Sequence, residues 1–308
     1  MRLPTIVVIS ISTMVFTQGC ALKTMAMKSV ADTLSQSGDT FSSDDDPELV
    51  RDAVPFALKT YESLLVSLPR HRGLLLATCS GFTQYSYGFV QADAEYVADS
   101  DFERSLELRE RSLKLYLRGR DYCLRALDTI RPELSGELVK DPGPALSKLS
   151  GKDVPLLYWT AASWGAAVSN GLDRPALVGD MPVVRAIVDR ALALDERYGD
   201  GAIHEILISL EAVPESIGGS TARARQHFER AVALQQGRSA GPFVTLATAV
   251  ALPAQDRVEF VRLLERALSV DPSADRTRRL ANLIAQKRAR FLLSRVDDLI
   301  PPTGGPLP

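Results

Sequence analysis

The sequence predicts an all-α fold of stacked helical hairpins, an α-α superhelix. Three observations carry this. An eight-residue phrase recurs: Val188-Asp189-Arg190-Ala191-Leu192-Ala193-Leu194-Asp195, then Phe228-Glu229-Arg230-Ala231-Val232-Ala233-Leu234-Gln235, then Leu264-Glu265-Arg266-Ala267-Leu268-Ser269-Val270-Asp271. Its arginines stand 40 and then 36 residues apart, the length of one helical hairpin. Apolar residues elsewhere recur at helical spacing, and β-branched alternation is scarce beyond the first twenty residues. A hairpin of this kind can hide its apolar face only against the next one. The small Ala191, Ala231 and Ala267 let a partner helix approach, and the acid-Arg pair before each lies on the wet side or bonds a neighbouring turn.

The chain has 308 residues, enough for one large helical domain or two small ones. Hydrophobic residues make up 45% and charged residues 24%, so a sizeable core can be buried. A net charge of −2 argues against a general nucleic-acid binder, which needs a basic surface. Tetratricopeptide repeats have a period of about 34 residues. The steps here make an irregular, tetratricopeptide-like version, and Asp271-Pro272 is the turn such a unit normally carries.

Residues 1–19 read as a signal peptide: Arg2, then an apolar run over 5–16 too short to span a bilayer. Thr17-Gln18-Gly19-Cys20 resembles a bacterial lipobox, with Thr17 where leucine is usual, and makes Cys20 the expected lipid attachment site. Ala21 after it favours the outer membrane over the inner. Residues 20–46 are Ser/Asp-rich and read as a lipid-anchored flexible tether. Asp46 caps the next helix, with Pro47 at its first position and Glu48 in its first turn.

Residues 47–300 then read as a single helical repeat domain, with the best place for a subdivision near 140–152. Over 47–67, Leu49, Val50, Val54, Leu58, Tyr61, Leu64 and Leu65 recur at helical spacing until Pro69. Over 71–98, Phe82, Tyr85, Phe89 and Tyr96 sit around much of the helix, which predicts a central position. A long helix over 101–130 follows, closed by Pro132. Pro142-Gly143-Pro144 reads as a linker. Asp153-Val154-Pro155 opens a helix that holds both tryptophans, Trp159 and Trp164, among small residues and stops at Asn170-Gly171. Residues 181–194 and 199–210 form the first phrase hairpin. Gly218-Gly219-Ser220-Thr221 is a turn and cap for 222–235. Helices over 243–251, 256–270 and 275–299 complete the array. The last carries an apolar stripe interrupted by Lys287, Arg288 and Arg290, and is expected to cap the open end. The Pro/Gly-rich tail over 301–308 reads as loose.

Cys79 and Cys123 read as small buried residues on separate helices, since no spacing ties them together, although an oxidising periplasm would let them pair. No catalytic constellation emerges. His204-Glu205 has Ile208 where a zincin needs its second histidine, and Gly151-Lys152 lacks the earlier glycine of a phosphate loop. His71, His204 and His227 fall on separate helices and read as structural or surface residues. Neither an enzyme nor a metal or cofactor site is expected.

Several stretches resemble the TatT family, the T-component of tripartite ATP-independent periplasmic (TRAP) transporters. They are Phe41-Ser42-Ser43-Asp44-Asp45-Asp46-Pro47-Glu48-Leu49-Val50, Leu75-Leu76-Ala77 with Tyr85-Ser86-Tyr87-Gly88-Phe89-Val90, and Leu115-Tyr116-Leu117-Arg118-Gly119-Arg120-Asp121-Tyr122. Tyr158-Trp159-Thr160-Ala161-Ala162-Ser163-Trp164-Gly165, Gly218-Gly219, His227-Phe228-Glu229-Arg230-Ala231 and the run from Leu280 to Arg290 continue the match in order. The resemblance implies a periplasmic lipoprotein of all-helical, tetratricopeptide-like fold that assembles as a homotrimer around a central opening. It also implies a partner, a TRAP-type periplasmic solute-binding protein, and help in delivering apolar, fatty-acid-like solutes.

On this basis Tyr158, Trp159, Trp164, Asn282 and Arg290 are the candidates to line a ligand-holding hollow. The competing reading is a tetratricopeptide-like scaffold for envelope assembly with no small-molecule ligand.

Overall fold

The structure, a computed structural model, describes residues 25–36, 38–215 and 218–302, and among these there is no strand. The expected signal segment and Cys20 lie outside the described residues. The stretch expected to be a tether is helical over 25–35 and again over Gly38–Ser42. Helix α1 (25–35) buries Ala31, accepts the Tyr61 hydroxyl at Leu34 O (3.2 Å), and places Asp32 3.0 Å from His71 Nε2. Its apolar stripe is too short to show a period, and later helices supply the cover. Helix α2 (Gly38–Ser42) follows.

Helix α3 (Pro47–Ser67) begins as its sequence predicts: Asp46 Oδ1 accepts from the amides of Glu48 (3.1 Å) and Leu49 (3.0 Å). Helix α4 (Arg72–Tyr85) runs through a π-helical turn (Ser86–Gln91) into α5 (Ala92–Tyr96). Asp101 caps α6 (Phe102–Ile130), which lies against both α4 and α9 (Val154–Asn170). Helix α7 (Leu134–Lys140) leads into α8 (Pro142–Ser147), a short helix where a linker was expected; it buries Ala145 and Leu146 and packs on α11 (Met181–Leu194). The short α10 (Pro175–Val178) precedes α11. Then come α12 (Ala202–Glu211), α13 (Thr221–Leu234), α14 (Gly241–Leu246) with its π-helical continuation Ala247–Ala251, α15 (Arg257–Leu268), α16 (Arg279–Ser294) and α17 (Val296–Leu299).

The three phrases fall on α11, α13 and α15. Ala191, Ala231 and Ala267 are all buried at the helix contacts. Arg190 donates to the carbonyls of Leu146 (3.1 Å) and Leu149 (2.6 Å), holding the turn after α8. Arg230 makes two bonds of 2.7 Å to Glu196 in the turn after α11. Both bond a neighbouring turn, as the sequence pattern predicts.

The apolar core does not divide near 140–152. One continuous core runs from Ala31 to Leu207, and a second from Ile208 to Ile300. Adjacent residues of α12 therefore face different cores, and α12 is the element on which the two halves meet.

Cys79 and Cys123 form a disulfide, which corrects the expectation of two unpaired residues. The cause is local. A Cβ at Gly119 would lie 3.1 Å from the Cys79 carbonyl oxygen, so the bare glycine lets α6 approach the α4 backbone closely. Cys123 lies one turn further along the same face of α6, and its Cα comes within 5.4 Å of that of Cys79.

Helix α16 closes the array rather than capping an open end. One side packs on α14 and α15, where the Gln286 amide donates to the carbonyls of Ala267 (3.2 Å), Leu268 (3.2 Å) and Val270 (2.7 Å) at the end of α15. The other side reaches the N-terminal helices. Arg279 pairs with Asp45 (3.3 Å), Lys287 with Glu48 (2.9 Å), Arg288 with Glu95 (2.7 Å), and Arg295 with Asp99. Tyr96 meets Phe291 edge-on at 4.8 Å.

The Cys79–Cys123 link closes a loop with a sequence separation of 44. Its removal in a Cys79→Ala/Cys123→Ala double variant should cost about 2–4 kcal/mol, mostly through the freed unfolded chain. Calorimetry of the native chain with and without reductant, beside the double variant, checks this: reductant should lower the native Tm and leave the variant unmoved.

Candidate functional site

The π-helical turn between α4 and α5 lies where α16 meets the N-terminal helices. That turn is fastened to α6: Ser86 Oγ lies 2.9 Å from Ser112 Oγ, and the buried Tyr116 donates to Gln91 Oε1 (2.6 Å), which also accepts from Asn170 (3.1 Å). A wide turn changes the direction in which its side chains point. Tyr87 leaves 48% of its surface open, yet burial among the surrounding helices pushes its phenol pKa up. An accessible side chain in interior surroundings faces an internal hollow.

Tyr158 and Trp159 on α9 face the same region. Their rings meet edge-on at 4.9 Å, and Tyr198 lies 5.2 Å from Tyr158. Burial raises the Tyr158 pKa, with Glu205, Tyr198 and Tyr87 adding to the rise and Arg278 opposing it. Burial likewise raises Tyr198, opposed by the neighbouring Trp159 indole. Residues from four parts of the chain thus stand close enough to alter one another's ionisation.

Glu205, on α12, is the unusual member. Burial pushes its carboxyl from an ordinary 4.5 up to about 7, against the pull of Arg278. The Gln235 side chain is 1% exposed and sits beside it, with neither its Nε2 nor its Oε1 hydrogen-bonded within ordinary distance. The carboxylate rests against Gly241, where a Cβ would come within 2.3 Å of Glu205 Oε1. Asn282 fixes that stretch, accepting from the Ala240 amide (2.8 Å) and donating to the Arg238 carbonyl (2.9 Å). The cations nearby are already matched. Arg278 pairs with Asp200 (2.8 Å) and Asp275 (3.5 Å), and Arg288 with Glu95. Burial disfavours the Arg288 charge, but Tyr87 and Glu95 hold its pKa well above the ordinary value.

Of the five residues singled out from the sequence, Tyr158 and Trp159 are brought together beside the open space. Trp164 is 2% exposed, donates its indole N–H to Asp180 (2.9 Å), and lies under Arg120. Asn282 is buried as the support just described. Arg290 is exposed on α16, and it is Arg288 that turns towards Tyr87. Tyr87, Tyr198, Glu205, Gln235, Arg278 and Arg288 were missed. In the sequence Glu205 reads only as part of an incomplete zinc motif, and nothing local marks Gln235 as its neighbour.

The histidines on α12 and α13 form a second cluster. His204 Nδ1 lies 2.9 Å from His227 Nδ1, and His204 Nε2 lies 3.2 Å from Glu196, itself held near pKa 2 by Arg230 first and His204 second. Burial lowers both histidine pKa values. The pair zips the hairpin together in its neutral form. Among the described residues no group of His, Cys, Asp and Glu is arranged to hold a metal ion, and no helix is long and apolar enough to cross a membrane. A charged surface cleft of about 630 Å³ among Arg70, Asp128, Glu137 and Lys140 lies on the outer face. Its acid Glu137 is matched by Arg131.

The raised Glu205 pKa has a sign that can be tested. The folded chain holds this proton more tightly than the unfolded chain, so the contribution is fullest below pH 4.5 and is lost as pH rises through about 7. Glu205→Gln should therefore gain about 1–3 kcal/mol over the native chain at pH 8, discounted for the half-open position, and almost nothing at pH 4. Thermal unfolding of both chains at the two pH values checks it.

A family model described as TRAP transporter T-component matches residues 43–300. An uncharacterized protein of Treponema pallidum (strain Nichols) is 32% identical over 299 residues, covering 91% of this chain and 93% of that protein.

Proposed function

The chain belongs to the T-component family of TRAP transporters, and from that premise we propose that it is a non-enzymatic, periplasmic-side component of solute uptake that docks a TRAP-type solute-binding protein. In this reading Cys20 carries a lipid anchor to the outer membrane, the helical hairpins tile in a tetratricopeptide-like way, and three copies assemble around a central opening. The enclosed space passes apolar, fatty-acid-like solutes.

The observation that carries the proposal is the aromatic wall of that space. Tyr87, the α9 pair Tyr158 and Trp159, and Tyr198 come from three separate elements and turn open surface inward. Aromatic faces grip an apolar chain without reacting with it. Trp164 and Asn282 hold this wall and its floor from behind, and Arg290 is available on the outer surface for a partner.

Trp159→Ala should weaken binding of a long-chain alkyl probe about tenfold, the loss of one well-buried aromatic contact, with helicity by circular dichroism unchanged. Calorimetric titration decides. Unaltered binding would favour the scaffold reading, in which the array grips only protein.

A further inference from the structure

The polar end of the space has a charge pattern of its own. Among the groups that face it, Arg278 is matched by Asp200 and Asp275, with Arg238 also near Asp275 (3.8 Å), and Arg288 is matched by Glu95. Among the described residues Glu205 makes no ion pair, Arg278 acting on it only from a distance, and the Gln235 amide beside it, 1% exposed, leans on this carboxylate alone. That leaves the buried Gln235 Oε1 as an acceptor with no donor among the described residues, which is costly unless something else supplies one. The same carboxylate stands within electrostatic reach of Tyr87 and Tyr158, next to Trp159 and Tyr198. A single unmatched carboxylate among aromatic faces is complementary to an ammonium group, which gains from the charge and from the rings together. A carboxylate head would add a second unmatched negative charge.

We propose that Glu205 and Gln235 form the head-group end of the solute site and that this end selects a protonated amine on an apolar chain. The assignment rests on the reading that the enclosed space takes a solute, and it reverses the head-group charge that a fatty acid would bring. Glu205 and Gln235 Oε1 accept from the ammonium, the Gln235 N–H2 donates to the Glu205 carboxylate, and the Tyr158–Trp159–Tyr198 cluster covers the first carbons. Gly241 keeps the carboxylate in place because no side chain intrudes there.

The test is calorimetric titration of the intact chain at pH 8 with dodecylamine, dodecanol and dodecanoate, each kept monomeric. The amine should bind at least about tenfold more tightly than the carboxylate, the scale of one charge-assisted contact in a shielded site. Glu205→Gln should remove that preference, with helicity by circular dichroism unchanged as the check that the variant is folded. Equal binding of amine and carboxylate by the native chain, or an amine preference that survives Glu205→Gln, overturns the head-group assignment and leaves an apolar solute space standing. Failure of all three probes to bind overturns both. Should Glu205→Gln not fold, the amine-to-carboxylate ratio of the native chain decides alone.

Discussion

The architecture depends on α16 having two working faces. A helical array buries the apolar face of each hairpin against the next, which leaves a raw face at either end. Helix α16 resolves both ends at once. Gln286 and Leu292 lock it to the second core, while Arg279, Lys287, Arg288 and Arg295 carry it onto acids of the N-terminal helices. Exposed pairs of this type contribute little individually, about 0–1 kcal/mol each. Arg288 with Glu95 is the better-shielded member, and Tyr96 on Phe291 adds apolar contact. The result is an inside as well as an outside, and every statement about a solute space follows from that.

The inner wall is built from elements with different constraints. Helices α4, α6 and α9 form a tight slab, cross-linked by Cys79–Cys123 and fastened by Ser86, Ser112, Tyr116 and Gln91. Across from it, α12 and α13 are joined through His204, His227, Glu196 and Arg230, polar groups whose balance depends on protonation. One side of the space is fixed covalently and the other electrostatically. The two titrations oppose each other: acidification favours the neutral form of Glu205 and disfavours the neutral histidine pair.

What the sequence made legible follows the range of the interactions. The helical class, the phrase hairpins, the cap at Asp46 and the buried alanines are local or periodic, and each stands where its pattern predicts. The disulfide was hidden because it depends on the tertiary approach that Gly119 allows. The ring was hidden because a basic band on the last helix reads as a solvated face until acids from the chain's beginning are seen opposite. At the site, Tyr158 and Trp159 were visible as aromatics among small residues. Trp164 lies five positions beyond Trp159, a turn of about 140° around the helix, which sends it into the core. Arg288 and Arg290 differ by about 200° for the same reason, so one faces Tyr87 and the other does not. Glu205 and Gln235 become notable only through what they lack, and a missing partner leaves no mark in a sequence.

The contact between Lys287 and Glu48 spans 239 positions. The N-terminal helices, made first, must wait for α16, with their facing edge unfinished until it arrives. Entropy of loop closure makes such a late seam slow to form. A truncated or stalled chain would therefore present sticky surface at both extremities, so completion of synthesis itself becomes the checkpoint for solubility.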